Sequence, residues 1–486
     1  MRWKYLITWK PCIKWKSLMK RKSVIACMLF LLTLFVFHTS SKENFSSYVQ
    51  MSKHEKTLSR NVSTIQEQDH LINLEKITDE LQDINKTSGS LYFTNNANSI
   101  HIANGTKVQT FKRDTSLFVK SKIGHESVVQ ESEEFPGMPD PCVKPRRKTE
   151  VEDILCMKRP VFSVEYKNPC WTEEEQFYCL PYFHLIGFPK CGTTDLFKRL
   201  FIHPDIVPNF GRFGKETWYW SWKRFAVNRG WDLKHGMTLK EFAMHFDAEV
   251  IRTKVNSQGR HTRITGHGDP MDSYDRFNEE ATPQNIPGAE ELLWTTPFSI
   301  RHINPNIKLL LMTRDPVERL YSHYFFINNG SSAHIFHEHV VQSLILWKEC
   351  VLHHSIRHCI YSPELKKALK VPIYVSFYIV HLKEWLKAFP REQIFIFRNE
   401  DYSVNIKETL IQIFKFLDIA IPDEALLNKM ESLPLFYETK SKKKAGPMLA
   451  ETKAILVDFY RPYNEELAMF LKDDRFLFKD RSFKSF

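Results

Sequence analysis

The sequence predicts an α/β fold in which a parallel, P-loop-like sheet is flanked by helices and preceded by one transmembrane helix and a flexible stem. Three short apolar runs, residues 182–187, 307–313 and 394–397, have the length and composition of buried strands. Turn residues and amphipathic helical patterns follow them, as in residues 406–417. Because strands joined through helices run parallel, this repeated order indicates a sheet with helices on both faces.

The N-terminal segment predicts a membrane anchor. Residues 1–22 hold eight basic residues and no acid, and the uncharged apolar residues 23–39 follow directly. This apolar run, of roughly 17 residues, reaches the lower limit for a helix that spans a bilayer. A cleaved signal peptide is the alternative, but the basic region is too long for one and no small-residue cleavage site follows. We therefore expect a cytoplasmic tail over 1–22, a transmembrane signal anchor over 23–39 and a lumenal C-terminal part.

Residues 40–140 are predicted to form a flexible lumenal stem. They are rich in Ser, Thr, Asn, Lys and Glu as far as residue 135, and one short amphipathic helix is predicted over residues 71–84. The proline-containing run 135–141 cannot continue a helix and ends the stem, so that residues 141–486 form the globular domain. Glycosylation sequons fit a lumenal chain and lie at Asn44, Asn61, Asn85, Asn104 and Asn329.

The cysteines agree with an oxidising, lumenal location. Seven lie beyond the anchor, so at least one thiol stays free or pairs outside the chain. Cys191 lies in a loop that a disulfide would obstruct and is predicted to be the free one. Cys350 and Cys359 are close in sequence and are predicted to pair with each other. The remaining four allow three pairings, between which the sequence does not choose: Cys142, Cys156, Cys170 and Cys179.

An anion-binding loop is predicted at residues 187–194 (GFPKCGTT). Gly187 and Gly192 keep the glycine spacing of a Walker A loop, but Thr193 occupies the position of its lysine and the lysine lies inside the loop, at Lys190. Successive backbone N–H groups can still point at an anion at the N-terminus of the following helix. The alternative is a structural turn between strand and helix, with a lysine that points into water.

Two downstream segments supply groups that complete such a site. Residues 314–322 (RDPVERLYS) place Arg314 at the end of a strand, with Ser322 two turns into the next helix, and this pair suits a second phosphate group. Lys215 and Glu216 place a cation beside a carboxylate, directly before a cluster of aromatic residues. Each pair taken alone could equally be a solvated surface pair.

Taken together and in this order, the motifs resemble the Golgi carbohydrate sulfotransferases, which use 3′-phosphoadenosine 5′-phosphosulfate (PAPS). The resemblance runs over roughly residues 140–475. It rests on FPKCGTTDL, RDPVERLYS, GPM and DFYRPYN, at residues 188–196, 314–322, 446–448 and 458–464, and on the paired Cys350 and Cys359. It implies a sulfotransferase fold and a catalytic domain over residues 141–486.

The resemblance also implies a role for each matching residue. Glu216 is the general base for the acceptor hydroxyl, Lys215 stands beside it, and Lys190 stabilises charge on the departing oxygen. Arg314 and Ser322 hold the 3′-phosphate. The 5′-phosphosulfate is gripped by the loop residues Lys190, Cys191, Gly192, Thr193 and Thr194. A C-terminal loop that closes over the donor corresponds to the basic run 440–444, from which Lys443 and Lys444 are the candidate donor ligands.

The implied partner is a chondroitin or dermatan sulfate glycan, with C6 of 4-sulfated N-acetylgalactosamine as the acceptor. Two stretches depart from the family pattern near that acceptor: Thr217 with Trp218, and residues 266–271, where His267 or Asp269 could substitute. The departures leave open a different glycan acceptor or a catalytically silent glycan-binding paralogue. Candidate contacts to the anionic glycan are Arg212, Lys223, Arg224 and Arg229.

Charge and motif content exclude other partners and cofactors. The 464 residues beyond the basic tail carry only +3, so no nucleic-acid partner is expected. Sulfate transfer needs less charge neutralisation than triphosphate chemistry, so no metal is expected. The displaced lysine and the lack of an identifiable magnesium carboxylate argue against the other enzyme class considered, an ATP-dependent kinase.

Overall fold

A computed structural model of the chain describes residues 94–96, 99–104, 107–112, 134–143, 146–227, 235–276, 278–328, 331–436 and 439–479. The chain divides into two compact units, residues 1–125 and 126–486. The predicted tail, the anchor 23–39 and the helix 71–84 lie outside the described residues, as do Arg229 and the sequons at Asn44, Asn61, Asn85 and Asn329. Within the described part of the chain, no helix is both long and apolar enough to cross a membrane.

The first unit contains a three-stranded antiparallel sheet inside the predicted stem. Its strands are β1 (Thr94–Asn96), β2 (Ser99–Asn104) and β3 (Lys107–Lys112), paired in the order β1-β2-β3. The stem prediction did not include this sheet, although the alternation of residues along β2 is typical of a strand.

The second unit begins earlier than the predicted end of the stem. Phe135 is buried, and its ring lies 5.6 Å from that of Trp294 and 5.3 Å from that of Phe298. The proline-containing run that follows is therefore part of this unit. Its strands are β4 (Cys170–Glu173), β5 (Gln176–Cys179), β6 (Phe183–Gly187), β7 (Ile206–Val207), β8 (Ile264–His267), β9 (Lys308–Thr313) and β10 (Ile394–Arg398).

Helices flank the sheet of this unit. They are α1 (Thr193–Leu200), α2 (Leu239–Ala243), α3 (Ala248–Ile251), α4 (Thr296–Ile303), α5 (Pro316–Ile327), α6 (Ala333–His353), α7 (Ile356–Tyr361), α8 (Pro363–Ala368), α9 (Tyr378–Leu386), α10 (Asn399–Val404), α11 (Ile406–Phe416), α12 (Glu424–Glu431), α13 (Lys440–Ala445) and α14 (Ala450–Leu471). Short 3-10 turns lie at Ile154–Cys156, Lys223–Phe225, Glu279–Ala281, Ile373–Ser376, Arg391–Gln393 and Asp474–Leu477.

The central sheet confirms the predicted parallel architecture. Its order is β10-β9-β6-β8-β7, and every neighbouring pair is parallel. All three predicted strands are present, with boundaries within one residue of those expected. Strands that follow β6 in sequence pair on both of its sides, which makes the C-terminal end of β6 a switch point where open α/β sheets bind ligands. The predicted anion-binding loop starts at this point.

The start of α5 also follows the sequence prediction. The Asp315 carboxylate accepts hydrogen bonds from the N–H groups of Val317 (2.8 Å) and Glu318 (3.1 Å), and Pro316 occupies the first turn. A capping carboxylate and a proline that needs no hydrogen bond both stabilise a helix N-terminus. The cap defines the start of α5, and Arg314 therefore lies between the last residue of β9 and this helix.

A buried ion pair connects α1 to the C-terminal part of the unit. Arg199 lies one turn after Asp195 and donates to its carboxylate (2.9 Å) and to the Leu433 carbonyl (3.0 Å). The Tyr402 hydroxyl (2.6 Å) and the Phe436 N–H (3.1 Å) donate to the same carboxylate. The pair thereby ties the helix after the loop to the chain that leads into α13.

The disulfides agree with the sequence and resolve its open choice. Cys350 is bonded to Cys359 as predicted, and Cys191 is a buried free thiol. Of the three possible pairings, the chain adopts the sequential one, Cys142–Cys156 and Cys170–Cys179. The second bond joins β4 to β5 directly across an antiparallel pair.

Candidate functional site

The loop between β6 and α1 has the backbone conformation of an anion cradle. Lys190 has a φ of 68° and Gly192 a φ of 94°, so the chain turns sharply before α1 begins at Thr193. A Cβ atom at Gly192 would lie 2.6 Å from Nδ2 of Asn399, which donates to the Cys191 carbonyl (2.8 Å). Glycine is therefore required at position 192 for both conformation and space.

The residues predicted to bind the 5′-phosphosulfate lie in this loop and in the first turn of α1. Thr193 is buried and Thr194 half-buried in the first turn of α1, where helix N–H groups have no partner within the helix. Burial raises the pKa of the Cys191 thiol to about 12, so the side chain stays neutral and its contribution is limited to packing and its backbone.

Lys190 lies in a strongly cationic environment. Its Nζ atom is 4.3 Å from the centroid of the Phe326 ring in α5. Burial, with the nearby charges of Arg314 and Lys442, lowers the pKa of this lysine to about 8. Such a grouping of cations is unfavourable until an anion joins it, and it therefore indicates an anion-binding site.

The hydrogen-bond partners of the Arg314 guanidinium indicate whether a phosphate group fits at this position. Its side chain is buried, and Nη1 donates to the Lys190 carbonyl (3.1 Å). Its Nε and Nη2 atoms are buried without a hydrogen-bond partner in the described part of the chain. Two guanidinium N–H groups without acceptors match the bidentate acceptor geometry of a phosphate. Ser322 is also buried, with its hydroxyl 3.4 Å from that of Thr439.

The basic run 440–444 forms α13 and packs on α5. The Tyr321 hydroxyl donates to the Gly446 carbonyl (3.0 Å), and Ser441 donates to the Phe325 carbonyl. Nζ of Lys442 lies 2.9 Å from Oε2 of Glu318, whereas Lys443 and Lys444 are exposed. Lys442, which the sequence analysis did not single out, is thus the lysine of this run that turns towards Lys190 and Arg314. These lysines differ in the face of α13 from which their side chains extend.

The predicted base lies in a turn on the β8 side of the sheet. Nζ of Lys215 is fully buried, contacts Oε1 of Glu216 and donates to the Gly268 carbonyl (2.8 Å). Burial raises the pKa of Glu216 although Lys215 opposes the shift, and the nearby Asp269 adds to it. An adjacent lysine ordinarily keeps a carboxylate ionised. Desolvation outweighs that charge and moves the pKa towards the range of a general base.

The two departures from the family pattern contact each other. The Thr217 hydroxyl lies 2.8 Å from Nε2 of His267, and the Trp218 N–H donates to Oδ2 of Asp269 (2.5 Å). His267 ends β8 and is fully buried, as is Asp269. Neither side chain is exposed for direct contact with an acceptor. They support the turn that follows Glu216, in which Trp218 has a φ of 60°.

The candidate glycan contacts separate into two groups. Arg212 is exposed and Lys223 is half-buried, and they lie 5.9 Å and 5.8 Å from the Trp218 ring centroid. Arg224, by contrast, is 2% exposed and packs on the rings of Trp220 and Phe225. Arg224 is therefore a buried structural residue and is not a surface cation, because the turn Lys223–Phe225 directs it inward.

The sequence pattern described as the sulfotransferase domain matches residues 181–454. The chain belongs to the sulfotransferase domain family. The match spans the loop 187–192, Glu216, Arg314, Ser322 and α13, which are the parts of the site described above. The parallel sheet and its flanking helices are therefore a sulfotransferase fold.

Carbohydrate sulfotransferases are among the similar proteins. The sulfotransferase chain is 36% identical over 312 residues to carbohydrate sulfotransferase 15 of Homo sapiens, which covers 62% of this chain and 55% of the relative. The protein of the same name from Rattus norvegicus matches with the same identity and coverage. The chain thus spans about half the length of the curated relatives it matches. A solved sulfotransferase from Alicyclobacillus acidocaldarius is 21% identical, with a TM-score of 0.37 over 61% of this chain and 97% of the other.

Proposed function

We propose that this protein transfers sulfate from PAPS to a glycosaminoglycan hydroxyl, with C6 of N-acetylgalactosamine 4-sulfate in chondroitin or dermatan sulfate as the acceptor. The observation that carries the proposal is the buried Arg314 guanidinium, whose Nε and Nη2 atoms have no acceptor in the described part of the chain. A 3′-phosphate supplies those acceptors, and ATP has no such group. The carbohydrate sulfotransferases at 36% identity support the glycan acceptor.

At the donor, PAPS supplies an activated sulfuryl group, and the chain supplies position and charge. The loop N–H groups and Thr193 hold the 5′ end, and Arg314 with Ser322 holds the 3′-phosphate. Lys190, protonated at Nζ, stabilises the negative charge that develops on the departing phosphate oxygen. Sulfuryl transfer requires in-line positioning more than covalent help from the protein.

At the acceptor, Glu216 takes the proton from the attacking hydroxyl through its carboxylate oxygen. Lys215 holds that carboxylate in place, and the raised pKa of Glu216 makes it a stronger base than an exposed glutamate. Arg212 and Lys223, on either side of Trp218, are proposed to bind the sulfate and carboxylate groups of the glycan.

We place the enzyme in the Golgi membrane, with the anchor 23–39 in the bilayer and the catalytic domain in the lumen. The three disulfides support an oxidising compartment. Protease protection of an epitope at the C-terminus, in sealed Golgi vesicles, tests this orientation. Cleavage without detergent would contradict it.

The proposed reaction is tested by incubating the full-length chain with ³⁵S-labelled PAPS or γ-³²P-labelled ATP and a panel of glycans. The panel contains chondroitin 4-sulfate, dermatan sulfate, desulfated chondroitin and heparan sulfate, and disaccharide mapping locates the new group. We expect ³⁵S at C6 of 4-sulfated N-acetylgalactosamine. ³⁵S on another glycan would support sulfate transfer but contradict the proposed acceptor. Donor binding without transfer to any glycan would favour a silent glycan-binding paralogue.

Lys442, and not Lys443 or Lys444, is expected to contact the donor. Replacing Lys442 by alanine should raise the KM for PAPS about tenfold, because a charge-assisted contact to phosphate is lost. The exposed Lys443→Ala and Lys444→Ala variants are matched controls and should change this KM less than threefold. Equal effects of the three substitutions would contradict the assignment.

The pH dependence of kcat/KM is expected to be bell-shaped. Glu216 must be ionised, so activity falls as pH drops through its raised pKa. Lys190 must be protonated, so activity falls as pH rises through about 8. In kcat, the alkaline limb should lie higher, because the bound anionic donor favours the charged lysine. A kcat/KM profile that stays flat from pH 7 to 9.5 would contradict the role of Lys190.

A further inference from the structure

Four fully buried side chains form a cluster next to the turn that carries Glu216. This His–Asp cluster consists of His184 on β6, His267 at the end of β8, and Asp269 and Asp272 in the loop that follows. The proposed sulfate transfer uses none of them as a direct contact. Four buried titratable groups in one place require an explanation, because uncompensated burial of charge is costly.

Three ligand atoms of the cluster converge on one point. Nε2 of His184 lies 2.9 Å from Nδ1 of His267 and 3.0 Å from Oδ2 of Asp272, and the latter two atoms are 3.8 Å apart. The circle through these atoms has a radius of about 1.9 Å. A zinc ion less than 1 Å out of their plane would have distances of about 2.0–2.1 Å to all three, which are normal Zn–N and Zn–O distances.

Hydrogen bonding alone leaves this arrangement incomplete. A neutral imidazole carries one N–H, so Nε2 of His184 cannot donate fully to both His267 and Asp272. Oδ2 of Asp272 has no hydrogen-bond partner in the described part of the chain. A single cation would contact all three atoms at once.

Two further side chains contact these ligands from the side that faces away from the triangle, as neighbours of metal ligands commonly do. Nε2 of His267, the ring nitrogen that faces away from the triangle, lies 2.9 Å from Oδ2 of Asp269. The other oxygen of Asp272 accepts a hydrogen bond from Ser221. Metal-binding histidines commonly donate their second N–H to a carboxylate, and metal-binding carboxylates are themselves hydrogen-bonded.

The charges also favour a divalent cation. The charge of Lys223 acts on Asp269, and the charges of Arg224 and Arg276 act on Asp272. Arg276, which is nearby, is paired with Glu279, and Arg224 packs on aromatic rings. A 2+ ion balances both carboxylates.

We propose that His184, His267 and Asp272 bind one Zn²⁺ ion, and that Asp269 and Ser221 orient two of these ligands through contacts with His267 and Asp272. The ion joins β6, which leads into the donor loop, to the segment that holds the turn after Glu216 through Asp269 and Trp218. Its role is structural: it fixes the donor and acceptor sides of the site relative to each other. This site is separate from the donor, where no metal is invoked.

The test is the metal content of the full-length chain, produced without a polyhistidine tag in medium supplied with Zn²⁺ or Co²⁺. We expect about one equivalent of zinc by mass spectrometry, and in the Co²⁺ form a visible absorption spectrum of a site with fewer than six ligands. Asp269→Asn keeps the three ligands and should weaken zinc retention about 10–100-fold in a chelator competition. Asp272→Asn should abolish retention.

The chain contains a matched control. Glu290, His354 and His358 form a second, exposed group, in which Nδ1 of His354 lies 2.8 Å from Oε1 of Glu290. The double variant His354→Ala/His358→Ala should retain the full equivalent of zinc. Loss of the zinc from this variant would overturn the proposal, and so would a correctly folded wild-type chain with less than a tenth of an equivalent.

Discussion

Replacing Glu216 by glutamine is expected to lower kcat about 10²–10⁴-fold, the usual contribution of a general base. Glutamine keeps an oxygen for the Lys215 ammonium but cannot accept the proton of the acceptor hydroxyl. The KM for PAPS should stay within about threefold of the wild type, because the donor residues lie on the other side of β6. Initial rates with saturating chondroitin 4-sulfate and varied PAPS measure both constants.

The matched control for this substitution is Glu408→Gln, an exposed carboxylate on α11. It should leave kcat unchanged, and thermal unfolding of both variants excludes loss of the fold. A Glu216→Gln enzyme with kcat within threefold of the wild type would show that the base is elsewhere. Glu216→Asp should recover part of the rate, since it restores a carboxylate at a longer distance.

Replacing Lys190 by methionine is expected to lower kcat about 10²–10³-fold, the effect of removing one preorganised group that stabilises developing charge. Methionine has a side chain of similar length and removes the ammonium, whose nitrogen lies over the Phe326 ring. The matched control is Lys198→Met, at a half-buried lysine on α1, which should have little effect. Equal losses in the two variants would point to a general structural effect.

The Lys190→Arg variant keeps a positive charge at this position but does not lose it near pH 8. Arginine stays protonated up to high pH, so the alkaline limb near pH 8 should disappear from the kcat/KM profile of this variant, even if its maximum is reduced. Persistence of that limb would assign it to another group. The pH dependence of kcat/KM therefore tests the role of Lys190 independently of how far the maximal rate falls.

Much of the donor half of the site could be predicted because its signals are local. The loop needs glycine at position 192 for its positive φ, and Asp315 with Pro316 caps α5 through bonds within three residues. Strands β6, β9 and β10 were recognised from apolar runs, since a strand buried on both faces has few polar residues. The short β7 and β8 have two and four residues, too few to produce such a pattern.

The remaining features depend on contacts between distant parts of the chain. Lys442 differs from Lys443 only in the direction it takes from α13, which packing against α5 determines. Arg224 was expected on the surface, but a turn directs it among aromatic rings. The raised pKa of Glu216 comes from burial beside the segment that contains Asp269, 53 residues further along the sequence.

The sequence by itself determined the fold class, the donor loop, the free Cys191 and the Cys350–Cys359 bond. Each of these follows from residue types at short separations, where backbone geometry and chain length leave few alternatives. Only the tertiary structure decided the other two disulfides, the pairing of Lys442 with Glu318 and the convergence of His184, His267 and Asp272. These residues come from separate strands and loops, and they meet because parallel strands bring distant segments side by side.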